Sequence, residues 1–158
     1  MGDDSLGLYA LFKIGFDGDG IAQLTSGSFA EQEPVWDPSG TRVVFSRATT
    51  GDYDPSACCR IAQVSPEGGA IVNLTSAIGA VRPDISPTGS YLAFDTPKGV
   101  WTLPSLGGTP ILVASGGWDA AFSPDGMELA YLKRSGSSPQ ICVFAMISRT
   151  SRTVYSSA

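Results

Sequence analysis

Histidine is absent from this chain of 158 residues, and only three cysteines occur. Without histidine, the sequence excludes a Ser-His-Asp triad, a Cys-His dyad and zinc sites that use histidine ligands. It also lacks a Gly-x-Ser-x-Gly elbow and any Walker or dinucleotide-binding glycine pattern. Nothing singles out a catalytic carboxylate pair among its 15 acidic residues. The sequence therefore predicts a protein that is not an enzyme and needs no cofactor.

Metal ligation is also poorly supported. Cys58, Cys59 and Cys142 lack the spacing of a metal site, and the adjacent pair would strain a mutual disulfide. We expect all three cysteines to be strand residues. The segment FDGDGI, residues 16–21, resembles part of a calcium loop, but the first and twelfth positions of that loop lack suitable ligands. It is better explained as a hairpin turn, and no metal site is predicted.

Positive charge is scarce, since the chain carries 10 basic residues and a formal net charge of −5. A nucleic-acid surface needs clustered Lys and Arg, so we expect no nucleic-acid partner. No apolar run approaches the roughly 20 residues of a membrane helix, so we expect no membrane insertion. The N-terminal stretch MGDDSLGLYALFK has acids where a secretory signal has positive charge, so no export signal is visible.

Glycine and proline are plentiful, and they stand in a phrase that occurs three times. The copies are WDPSGTRVVF from residue 36, ISPTGSYLAF from residue 85 and FSPDGMELAY from residue 122. In each copy, apolar residues follow the glycine at three and five positions, and these are Val43 and Phe45, Leu92 and Phe94, and Leu129 and Tyr131. Proline presets the turn, glycine admits a positive φ, and the two apolar residues share one strand face. Each phrase predicts a β-hairpin.

A second phrase lies between these hairpins and also predicts two short strands joined by a turn. Its copies are RIAQVSPEGGAIVNLTS at 60–76, VWTLPSLGGTPILVAS at 100–115 and LFKIGFDGDGIAQLTS at 11–26, and a more divergent copy is ICVFAMISRTSRTVYSS at 141–157. Two hairpins make a four-stranded antiparallel unit, and its prolines recur after 49 and then 37 residues. An insertion, RATTGDYDPSAC at 47–58, explains the longer interval. With no helical periodicity, the predicted fold class is all-β.

A repeated four-stranded unit of about 40–45 residues is typical of a β-propeller blade. The Leu-Thr-Ser ending, followed by a short loop and the Pro-x-Gly phrase with its aromatic-ended strand, resembles the TolB-like, WD-like propeller repeat. The resemblance covers nearly the whole chain and implies one propeller domain. Its predicted parts are a hairpin with its connection at 8–32 and blades at 33–76, 82–115 and 119–158. About three and a half blades make an incomplete propeller, or one that a homodimer or larger ring completes.

The resemblance also implies a function. Propellers of this kind act in recognition or scaffolding, so we expect a protein or peptide ligand, without catalysis or cofactor. One alternative is a fragment of the substrate-filtering propeller of a tricorn-like or prolyl-oligopeptidase-like peptidase, whose catalysis resides in another domain. Another is a carbohydrate-binding propeller. The family is often extracytoplasmic, so the resemblance implies a periplasmic location.

Candidate binding residues occur at one slot of the repeat. Five positions before the repeated proline stand Glu33, Arg82 and Asp119. Varied polar residues at one repeated position can form a binding surface near a channel mouth. Trp118 adjoins this slot, with a core position as the alternative. Tyr53, in the acidic insertion, is the other candidate, and solvated loop charges are the simpler interpretation of all the polar positions.

Overall fold

The computed structural model of this chain describes residues 9–26, 29–49, 59–76 and 79–156, and the regular elements in those ranges are β-strands. No helix able to cross a membrane occurs within the same ranges. The strands in chain order are β1 (Phe12–Lys13), β2 (Ala22–Gln23), β3 (Glu31–Trp36), β4 (Val43–Ala48), β5 (Cys59–Val64), β6 (Val72–Asn73), β7 (Val81–Ile85), β8 (Tyr91–Thr96), β9 (Gly99–Pro104), β10 (Ile111–Ser115), β11 (Gly117–Phe122), β12 (Glu128–Ser135), β13 (Ser138–Ala145) and β14 (Thr150–Ser156). They belong to two compact units, Met1–Val81 and Arg82–Ala158.

The first unit contains a two-stranded hairpin and a four-stranded sheet. β1 pairs antiparallel with β2, and β3 to β6 pair antiparallel in chain order. The hairpin packs against the sheet through Leu11 and Leu24, which join Val43 and Phe45 in one buried cluster. Because side chains alternate between the two faces of a strand, Val43 and Phe45 reach the hairpin from the same face.

The second unit contains two four-stranded antiparallel sheets, β7 to β10 and β11 to β14, each in chain order. The sheets pack face to face. Ala93, Val100 and Ala114 from the first of them join Leu129 and Tyr131 from the second in one buried cluster. This is the packing expected between neighbouring blades, in which a sheet buries each face only against another sheet.

The repeated Pro-x-Gly phrase forms the turn between the first two strands of each four-stranded sheet. The N–H of Gly40 donates to the carbonyl of Asp37 at 2.8 Å, across a turn with Pro38 in second place. Gly89 and Gly126 make the same bond in their copies. The φ angles of these three glycines are +70°, +69° and +71°, in the left-handed region that favours glycine. The local chemistry of the phrase therefore sets the hairpin.

The threonine of the Leu-Thr-Ser phrase accepts a backbone hydrogen bond through its side chain. The buried hydroxyl of Thr25 accepts a hydrogen bond from the N–H of Leu11 at 2.9 Å. The equally buried Thr75 accepts one from Ile61 at 3.1 Å. In both places the threonine continues the ladder after its strand has ended, because a buried N–H needs an acceptor.

The described residues thus confirm the all-β class and the expected three and a half blades, as three four-stranded sheets and one two-stranded hairpin. The limits of the single domain and of its blades stay predictions. Cys59 and Cys142 are buried strand residues, as expected, while Cys58 lies outside the described residues. Groups of three or more His, Cys, Asp or Glu that could hold a metal ion do not occur in the described part of the chain.

Candidate functional site

A β-bulge interrupts the first strand of the blades at the slot that the repeat singles out. In β3 the register shifts between Gln32 and Val35, and in β11 it shifts between Trp118 and Ala121. Two residues of the first strand therefore oppose one residue of the second, which bends the strand and re-aims its side chains.

The first residue of each bulge adopts a left-handed backbone. The φ angles are +57° at Glu33 and +57° at Asp119, and Arg82 has +50° at the corresponding place in β7. We call Glu33, Arg82 and Asp119 the bulge residues. A residue with a Cβ pays about 1–2 kcal/mol in this conformation, so its surroundings must hold it there.

In the second unit, one buried carboxylate holds two bulge residues. Oδ2 of Asp95 accepts a hydrogen bond from the backbone N–H of Asp119 at 2.6 Å and from Nη1 of Arg82 at 3.3 Å. Asp95 is 2% exposed, whereas the side chain of Arg82 is 44% exposed. Asp119 is exposed as well. The buried carboxylate therefore anchors a cation and an anion that both reach solvent, and these three residues form the bulge site.

The surroundings of Asp95 in the bulge site disfavour its ionised form. Burial raises the pKa of Asp95, the charge of Asp119 raises it further, and the hydrogen bonds from Asp119 and Arg82 counter this only in part. The other carboxylate oxygen, Oδ1, is buried and has no hydrogen-bond partner among the residues that the structure describes. Keeping Asp95 ionised in this buried place therefore lowers the free energy of unfolding.

A second carboxylate, that of Asp84, bonds the C-terminal end of β11, the strand that carries Asp119. Oδ2 of Asp84 accepts from the N–H of Phe122 at 2.7 Å, and Oδ1 accepts from the N–H of Ile85 at 3.0 Å. Burial raises the pKa of Asp84 against the effect of these bonds. Asp84 and Asp95 together hold β11 at both ends of its bulged segment.

The first unit has a similar pair, in which the bulge residue accepts the hydrogen bond and the residue on the second strand donates it. The hydroxyl of Ser46 donates to Oε2 of Glu33 at 2.6 Å. Ser46 follows Glu33 by the 13 residues that also separate Asp95 from Arg82. The bulge residue and its partner on the second strand thus form a repeated pair whose chemistry differs from blade to blade.

The structure brings some of the predicted site residues together and leaves others apart. Arg82 and Asp119 meet at Asp95, while Glu33 has its own partner in the first unit. Trp118 is half-buried, and the guanidinium of Arg134 lies 5.9 Å from the centre of its ring. Tyr53 lies outside the described residues. That any of these residues binds a ligand stays a prediction.

Asp95 and Asp84 are not among the site residues that the sequence predicted. A signal for Asp95 exists in YLAFDT, where a carboxylate directly follows the buried Phe94 inside an apolar strand. Serine occupies the equivalent place in the first blade, as Ser46, and leucine occupies it in the last, as Leu132. A buried acidic residue at a repeat position that is otherwise uncharged indicates a local partner.

Comparison with known proteins identifies the fold. No protein-family model matches the sequence, and no curated protein matches it either. Among solved structures, a protein of Agrobacterium tumefaciens assigned as TolB matches with a TM-score of 0.77 at 17% identity, over 96% of this chain and 58% of its own. Oligogalacturonate lyase in complex with manganese matches with a TM-score of 0.76 at 15% identity, over 94% of this chain and 48% of its own.

A chain of the nidogen/laminin complex also matches, with a TM-score of 0.67 at 10% identity, over 86% of this chain and 52% of its own. The present chain thus spans about half the length of these structures. Identities this low establish the fold alone. The fold is a TolB-like β-propeller, as the repeat predicted, and its relatives include both a TolB protein and an enzyme.

Proposed function

We propose that this chain is a non-enzymatic propeller module that recognises a protein or peptide, with Arg82 and Asp119 as binding residues. The observation that carries the proposal is the bulge site. A left-handed backbone recurs at one repeated position of the blades, and in the second unit the buried carboxylate of Asp95 bonds two oppositely charged residues at that position, both of which reach the surface. Strain of this kind concentrates at functional sites.

The chemistry of the bulge site favours a polypeptide ligand. Arg82 offers guanidinium donors, Asp119 offers carboxylate acceptors, and Trp118, next to Asp119 in the chain, offers a partly exposed apolar ring. A peptide carries side chains of both charges and apolar groups, so it can satisfy all three at once. A simple anion would use only the arginine. The nidogen/laminin likeness supports the proposal, since that propeller fold was observed in a protein complex.

A carbohydrate ligand is the alternative that a specific observation favours, because the likeness to oligogalacturonate lyase extends over 94% of this chain. This alternative predicts that oligogalacturonate binds the protein in titration calorimetry, with or without manganese. The peptidase-fragment alternative predicts an α/β-hydrolase region with a Gly-x-Ser-x-Gly elbow in the same gene. A homodimer or larger ring also stays a prediction, which light scattering tests by measuring the mass in solution.

The proposed peptide recognition can be tested by panning a random-peptide phage library on the full chain. Enriched peptides should bind the wild type and lose about tenfold or more in affinity on Asp119→Ala and on Arg82→Ala, as charged contacts at an interface do. Asp19→Ala and Lys98→Ala serve as controls, since both residues are exposed. Failure to enrich any peptide, or equal binding by all four variants, would refute the proposal.

A further inference from the structure

A polar cavity of about 240 Å³ lies on the last sheet of the second unit and shares no residue with the bulge site. Its most buried lining residues are Tyr131 and Cys142, each 4% exposed. Both belong to the buried cluster between the two sheets of this unit. The cavity therefore lies on the face of β12 to β14 that packs against β7 to β10, and this chain supplies both of those sheets.

Six residues on three neighbouring strands line the cavity from this face, because side chains alternate along a strand. They are Tyr131 and Lys133 on β12, Gln140 and Cys142 on β13, and Ser151 and Thr153 on β14. Each of them can donate a hydrogen bond, and no carboxylate lines the cavity among the described residues. A cavity surrounded by donors, without an acid, favours a ligand that supplies acceptors.

Lys133 gives the cavity a positive charge. This residue is half-buried, and its ammonium group has no ion pair or hydrogen bond within the described part of the chain. Arg134 and Arg152 also line the cavity, but their charged groups are used on the opposite face, where Arg152 bonds Glu128 at 2.8 Å and Arg134 lies over Trp118. Because burying a charge is costly without a partner, the unpaired lysine indicates an anionic ligand.

The first blade pairs a cation at the equivalent position with a carboxylate of its own. Arg47 and Lys133 each stand two residues after the aromatic residue of the repeated phrase. Arg47 lies opposite Glu31 and forms an ion pair with its buried carboxylate at 3.3 Å, whereas Lys133 lies opposite Gly117. A Cβ at Gly117 would lie 2.8 Å from the ring of Tyr131, so this strand cannot supply a carboxylate here. The last blade thus has the cation of the first blade without its internal counterion.

We propose that this cavity, the Lys133 cavity, binds a small organic anion whose carboxylate or phosphate group bonds Lys133. Ser151, Thr153 and Gln140 bond the other oxygen atoms of the ligand. A water molecule takes up roughly 30 Å³ in the liquid, so the volume suits a molecule of about eight non-hydrogen atoms. Such a molecule is larger than an inorganic ion, and donors on three strands suit one that also carries hydroxyl groups.

NMR titration of the isotope-labelled full chain tests the proposal with two anions. Gluconate carries a carboxylate and glycerol phosphate carries a phosphate, and glucose and glycerol are their uncharged counterparts. The amide signals of Lys133, Gln140 and Thr153 should shift along one saturable curve with at least one of the anions. They should stay unchanged with glucose and glycerol. The anion with the higher affinity identifies the charged group that the cavity prefers.

Two substitutions test the assigned contacts. Lys133→Gln should weaken binding by about tenfold or more, because a charge-assisted hydrogen bond is lost. Ser151→Ala should weaken it by about threefold, because a neutral donor is lost. Lys98→Gln and Ser137→Ala are the matched controls and should bind like the wild type, since both residues are exposed in the same unit and do not line the cavity.

Shifts that rise without saturation, or equal shifts with the uncharged compounds, would overturn the proposal. Unchanged affinity in a folded Lys133→Gln variant would do the same, and if that variant does not fold, the shifts of the wild type decide. Saturable shifts confined to amides around Arg82 would assign the anion to the bulge site instead. Peptide binding at the bulge site has a different readout, so either proposal can fail alone.

Discussion

Replacing Asp119 by glycine separates a functional role of the bulge from a structural one. Asp119 has a φ of +57°, and its backbone N–H, not its side chain, makes the bond to Asp95. The substitution Asp119→Gly therefore keeps the hydrogen bond and removes the conformational strain. It also removes the carboxylate that the proposed recognition of a peptide requires.

The expected magnitude follows from two opposing terms. Relief of a left-handed backbone at a residue with a Cβ stabilises the fold by about 1–2 kcal/mol. The greater conformational freedom of glycine in the unfolded chain costs about 0.5–1 kcal/mol. The net result is a gain of about 0.5–1 kcal/mol, equivalent to roughly 1–4 °C in Tm for a chain of this size.

The assay is urea denaturation followed by circular dichroism, with differential scanning calorimetry for Tm. Ala120→Gly is the matched control, because Ala120 is the second bulge residue and its φ is not positive. It also packs against the buried cluster of the second unit. We expect this control to lose about 0.5–1 kcal/mol, since glycine relieves nothing there.

A loss of stability on Asp119→Gly as large as that on Ala120→Gly would contradict this prediction. In that case the left-handed conformation of Asp119 would not be strained. If Asp119→Gly instead stabilises the protein while the panned peptides lose affinity, the aspartate is retained at a cost to stability. That combination is expected of a binding residue and not of a structural one.

Three further predictions follow from burial and hydrogen bonding. Burial raises the pKa of Asp95 above its value in the unfolded chain. In urea denaturation at a series of pH values, the wild type should therefore gain stability relative to Asp95→Asn as the pH falls from neutrality toward about 4. An equal pH dependence of stability in the two proteins would contradict this. Thr25→Val should cost about 1–3 kcal/mol in the same assay, because a buried N–H loses its acceptor, whereas Thr109→Val at an exposed position should be close to neutral. Phe45→Ala should cost about 3–5 kcal/mol in calorimetry, and Phe16→Ala, fully exposed, should change little; equal losses would contradict the assigned core.

Much of the fold could be predicted because its signals are local. Pro38 and Gly40 specify a turn through their own backbone preferences, and Val43 and Phe45 specify a buried face through the two-residue period of a strand. The return of this phrase in three copies then required neighbouring sheets. The burial of Trp36 could not be predicted in this way. It occupies the repeat position of Ile85, yet it is 51% exposed against 6% for Ile85, because burial depends on what lies across from each position.

The candidate site could be predicted only in part. The repeat placed Glu33, Arg82 and Asp119 at one slot, since spacing is visible in the sequence. Their left-handed backbone was not visible, because Asp119 is held by Asp95, which lies 24 residues away. Contacts between residues so far apart in the chain leave no periodic pattern.

The sequence alone determined the strands, their turns and their grouping into blades, since each depends on residues within a few positions of one another. Only the tertiary structure decided that Asp95 is buried between Arg82 and Asp119, and that Trp36 is exposed where Ile85 is buried. The physical reason is that burial and charge interactions depend on distance in space. A repeat fixes which positions are equivalent, but the neighbours that fold against them determine what each one does.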